Sequence, residues 1–86
     1  MVVNFFSAVD SLRGKLEKFR WIRRHGDGET ALRPAVNQLQ TELDSARVLL
    51  DDVGEGAWGV FPDEQRWGYM VLLSLEETGR LEIKNI

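Results

Sequence analysis

The sequence contains no cysteine and a single histidine, so it can form neither a disulfide framework, a thiolate metal site nor an imidazole cluster. It also lacks any apolar run near the roughly 18 residues that a membrane-spanning helix needs. The N-terminal Met1–Phe6 is apolar but has neither a basic leader nor a long hydrophobic stretch, which argues against a signal peptide and places the protein in the cytoplasm. Only two prolines interrupt the chain, and no repeat or low-complexity segment is visible. What is present is globular in character. Hydrophobic residues make up 43% and charged residues 29% of 86 positions, enough for a core and too apolar for disorder. At this length the expectation is one domain spanning 1–86.

Charge is unevenly spread within a net charge of −3. Residues 1–33 carry seven Lys/Arg against four Asp/Glu, while residues 34–86 carry four against ten. The basic excess concentrates in Arg13, Lys15, Lys18, Arg20, Arg23 and Arg24, so one end of the molecule should present positive potential.

Val2, Phe5, Val9, Leu12, Leu16 and Phe19 recur in steps of three and four, which predicts a helix over 1–24. Gly26, Asp27 and Gly28 in the segment 25–29 reverse the chain. Leu32, Val36, Leu39, Leu43, Ala46, Leu50 and Val53 then predict a second helix over 30–53, with Thr30 as N-cap and Pro34 tolerated in the first turn. Together these form an antiparallel helical hairpin.

After Gly54 the period changes to two. Trp58 and Val60, then Trp67, Tyr69, Val71, Leu73 and Leu75, then Leu81 and Ile83 alternate as half-buried strands do, giving strands at 57–61, 66–76 and 80–86. A loop at Glu77-Thr78-Gly79 would set Leu75 opposite Leu81 and Leu73 opposite Ile83, and a loop at 62–65 would set Val60 opposite Trp67 and Trp58 opposite Tyr69. The expected fold class is therefore α+β, in the order ααβββ, a two-helix hairpin on a three-stranded antiparallel meander. The alternative is an all-α three-helix fold with a short C-terminal strand. In it Pro62 opens a helix to Thr78, Asp63 and Glu64 lie at the positive end of its dipole, and Gly79 ends it. Gly68 in mid-helix and the weak confinement of apolar residues to one face count against that alternative.

Chemistry-bearing constellations are sparse. His25, Asp27 and Glu29 alternate in a glycine-rich turn and could offer three ligands to a divalent ion, but such a loop more often just reverses the chain, and Gly26/Gly28 and Gly54/Gly56 lack the Lys-Ser/Thr that completes a phosphate loop. The carboxylates Asp51, Asp52, Glu55, Asp63 and Glu64 fall at a helix end and a hairpin tip, where nothing would tune them for acid catalysis. The expectation is a non-enzymatic protein with no catalytic residue, no metal and no cofactor.

Trp21 is the informative residue. At about 100° per residue it lies opposite Phe5, Val9 and Leu12, close to Glu17 and Arg24, and Trp with Arg is the pairing enriched where interfaces concentrate binding energy. Arg13, Arg20, Trp21, Arg23 and Arg24 are accordingly the expected binding surface for another protein with an acidic surface. A second apolar surface, Ala57, Phe61, Met70, Leu72 and Ile86 on the back of the sheet, would serve a homodimer. The functional expectation is a small interaction module (a regulator, inhibitor or adaptor, of the kind phages and mobile elements also make). The alternative is nucleic-acid binding through the basic end of the first helix.

Overall fold

The computed structural model describes residues 5–26, 29–53 and 61–86, and among them the only regular elements are three helices: α1 (Phe5–His25), α2 (Glu29–Val53) and α3 (Asp63–Lys84). Phe5 and Tyr69 meet near the starts of α1 and α3, and Arg20 and Glu82 near their ends, so these two helices run parallel, with α2 antiparallel to both. The result is an elongated up-down-up bundle, 47 × 20 × 17 Å.

The stripes of the first two helices form its core. Phe5, Val9, Leu12, Leu16 and Phe19 from α1 and Leu39, Leu43, Ala46 and Leu50 from α2 are all buried, with Leu32, Val36 and Val53 packed against them. Their common side follows from the 3.6-residue turn, which aligns positions three and four apart. α2 starts at Glu29, one residue before Thr30, so Thr30 lies inside the helix and is not its cap. Pro34 therefore falls in the second turn and leaves one backbone acceptor without its helical donor.

The α+β expectation and its antiparallel sheet are overturned by α3. The strands expected at 66–76 and 80–86 and the loop at Glu77-Thr78-Gly79 all lie along or at the end of one continuous helix. Of the strand at 57–61 only Phe61 lies within the described residues. The all-α alternative has the right third helix but stops it too early. Gly79 is interior, the helix runs on to Lys84, and a C-terminal strand is absent among the described residues. Pro62 occupies the N-cap position, φ −57° and ψ 152°, and its carbonyl accepts from the Gln65 and Arg66 amides at 3.0 and 3.1 Å. Asp63 and Glu64 in the first turn and Lys84 in the last match the helix dipole.

The reason is visible in what α3 buries: Gly68, Leu72, Glu76 and Gly79. Those positions are four, four and three residues apart, a helical stripe hidden from an apolar count because only one of its members is a hydrophobe. The two glycines mark close approaches. A Cβ on Gly68 would lie 2.9 Å from the Phe5 Cβ, and one on Gly79 would lie 2.8 Å from a Leu43 methyl. Gly68 thus sets α3 against α1, and Gly79 sets it against α2.

Three alanine substitutions should separate these roles. Gly14 is exposed on α1 and a Cβ there would meet no atom within 4 Å, so Gly14→Ala is expected to stabilise by about 1 kcal/mol through helix propensity. Gly79→Ala meets the movable end of Leu43 and should be close to neutral. Gly68→Ala meets a Cβ fixed to the α1 backbone, and overpacking of about 1–3 kcal/mol outweighs the propensity gain. Urea unfolding midpoints should rank Gly14→Ala above wild type and Gly68→Ala well below it.

Candidate docking surface

The outer side of α1 faces away from both neighbouring helices because α1 spends its Phe5–Phe19 stripe on the core. Since α1 continues to His25, Trp21 stays on that outer side and is 62% exposed. Its ring lies against the His25 ring one turn later, centroids 5.0 Å apart and planes tilted by 44°. Helical spacing places Glu17 and Lys18 one turn before Trp21, Gly14 two turns before it, and Arg24 one turn after. Arg13, Lys18, Arg24 and His25 are all exposed.

The five residues expected to form one binding surface divide into two groups. Arg13 and Trp21 are exposed away from α3, and Arg24 is exposed at the end of α1. Arg20 turns toward α3, where its Nε donates to both Glu82 carboxylate oxygens at 2.8 and 3.0 Å and its Nη2 reaches Oε2 at 2.5 Å. The hydrogen bond to Glu82 raises the Arg20 pKa above its ordinary value; partial burial works against the rise, and the charges of Glu82 and Glu17 add to it. Arg23 donates to the Asn85 carbonyl at 3.2 Å. These two arginines tie the end of α1 to the end of α3, and with Arg24 and Glu82 they line a polar recess of about 410 Å³. Their partners Glu82 and Asn85 reach this end only because α3 continues past residue 80, which a strand at 80–86 does not foretell.

The surface assigned to the back of a sheet does not exist as one face. Ala57 lies outside the described residues. Leu72 is fully buried in the core, and Phe61 packs edge-on against Phe5 with centroids 5.8 Å apart. Met70 and Ile86 remain exposed, at 52% and 58%, but Ile86 lies beyond the end of α3. The helix separates by rotation what alternation would have put together.

Among the described residues no group of three or more His, Cys, Asp or Glu side chains is placed to hold a metal ion. The turn residues Asp27 and Gly28 lie outside the described residues. Among the described residues, too, no helix is long and apolar enough to cross a membrane. What the α1 surface offers chemically is a large amphipathic ring with cations beside it, suited to desolvated contact and to attraction of acidic groups. No protein-family model, no curated protein and no solved structure matches the chain.

Proposed function

We propose that the protein is a small, non-enzymatic, cytoplasmic interaction module that docks through the outer face of α1 on a protein with an acidic surface. The observation that carries this reading is Trp21, a ring 62% exposed in a regular helix, tilted against His25 and within a basic neighbourhood. A Trp left in water forgoes the stabilisation of burial, and a partner that covers it recovers that stabilisation. Arg24 and Arg13 supply the charge that selects an acidic partner and speeds encounter. Arg20 and Arg23, engaged with Glu82 and Asn85, hold the α1 end in place, acting as supports for the surface more than as contacts.

Affinity capture from the native host, identification by mass spectrometry and titration of the purified partner test the reading. Trp21→Ala with Arg24→Ala is expected to weaken binding by about 30-fold or more, the ratio set by truncating a central anchor. Equal affinity for the double variant would remove this surface. Retention on heparin, with oligonucleotide binding that falls steeply as salt rises, would assign the basic end to nucleic acid instead.

A further inference from the structure

α3 carries a second stripe, on the side away from the core. Trp67, Met70, Ser74, Glu77, Leu81 and Lys84 are all exposed and follow one another in alternating steps of three and four residues. Trp67, Met70 and Leu81 are 67%, 52% and 60% exposed. Trp67, Met70 and Ser74, with Val71 and Leu75, line a mostly apolar groove of about 320 Å³. This three-four alternation is the pattern of a helix that packs along a second helix, and α1 and α2 occupy the opposite side.

We infer that this stripe pairs with the same stripe of a second copy, antiparallel, about a two-fold axis passing between Leu75 and Glu76. The order of residues selects both occupant and direction. In a parallel pair, Glu77 would face Glu77 and Lys84 would face Lys84, stacking like charges. In the antiparallel pair, Met70 meets Leu81 of the second copy, Ser74 meets Glu77, and Trp67 meets Lys84; each layer occurs twice. The first is apolar, the second a hydroxyl donating to a carboxylate, the third a cation over an indole ring. Val71 and Thr78, both half-buried, flank these layers on one side of the seam. The stripe is therefore complementary to itself in one orientation only, which an acidic partner suited to α1 would not require.

The seam from Trp67 to Lys84 is about 26 Å long, so the interface belongs to the small class and self-association is expected in about the micromolar range. Dimerisation would display two α1 surfaces at once and strengthen binding to a partner with repeated acidic sites. It does not depend on α1 docking, and the two are tested by different substitutions.

Sedimentation equilibrium of the full chain is expected to show reversible conversion from 9.8 kDa to twice that mass. Met70→Asp or Leu81→Asp should leave a monomer with unchanged helical circular dichroism, since both positions are exposed. Because the chain has no cysteine, single spin labels report direction. The antiparallel seam places the two copies of Glu64→Cys about 35 Å apart and those of Ser74→Cys about 10 Å apart, by the rise of 1.5 Å per residue. A mass that stays at 9.8 kDa up to about 1 mM overturns the proposal, that being the weak limit for a small interface. So does a dimer that survives both aspartates, or a short distance at position 64.

Discussion

Phe5→Ala should lower the free energy of unfolding by about 3–5 kcal/mol, the range for deleting a buried ring whose site cannot collapse. Phe5 is wholly inaccessible to solvent and sits where α1 packs on Gly68 of α3. Its ring meets Tyr69 at 5.6 Å and 90° and Phe61 at 5.8 Å and 83°, two edge-to-face contacts that disappear together. Its Cβ faces the bare backbone of Gly68, and alanine keeps that Cβ, so the helices are already at contact and cannot close on the space the ring leaves. A domain of this size has a total stability of about 5–10 kcal/mol, and the loss corresponds to a fall in Tm of about 15–30 °C. Trp21→Ala removes a larger ring from the exposed side of the same helix and should change stability by less than about 0.5 kcal/mol. Thermal unfolding of the two variants side by side tests the assignment of the two faces of α1. It also establishes that a binding defect in Trp21→Ala is not a folding defect.

That contrast between faces is legible in the sequence for α1 and α2 because every core position there, except Ala35 and Ala46, is a large hydrophobe. In α3 it is not, for a specific physical reason. Its core-facing positions include two glycines that set interhelical distance and one glutamate held by arginines, none of which registers as apolar. Meanwhile the hydrophobes Trp67, Tyr69, Val71, Leu73 and Leu75 happen to alternate, and a helix distributes them around its circumference: Trp67 to solvent, Tyr69 and Leu73 toward the core. Gly68, which by propensity counts against a helix, is the residue that lets this helix pack. The exposure of Trp21 follows from angular position alone and needs no tertiary information. The engagement of Arg20 and Arg23 does need it, because it depends on α3 running parallel to α1 and delivering Glu82 and Asn85 to the same end.

The glutamate in that hidden stripe supports the second large prediction. Glu76 is 3% exposed, yet its carboxylate is met by Arg80 Nε at 2.7 Å and by Arg47 Nη1 at 3.8 Å. Each arginine has a further anchor at the bundle surface, Arg80 on Asp44 at 3.2 Å and Arg47 on Asp51 at 3.0 Å. The hydrogen bond to Glu76 raises the Arg80 pKa; partial burial opposes the rise and Asp44 reinforces it. The two sides of this network are unequal in solvent access: the carboxylate is buried, while the arginine side chains are 40% and 44% exposed. Removing both cations, Arg47→Met with Arg80→Met, strands a buried negative charge and should cost about 3–5 kcal/mol. Removing the carboxylate, Glu76→Leu, leaves two arginines that keep Asp44, Asp51 and water, and should change stability by no more than about 1 kcal/mol in either direction. The decisive variant carries all three substitutions. If the loss in the double variant comes from an uncompensated carboxylate, adding Glu76→Leu restores stability to within about 1 kcal/mol of wild type in urea unfolding at neutral pH. If instead the arginine stems contribute mainly by covering apolar surface between α2 and α3, the triple variant stays as unstable as the double.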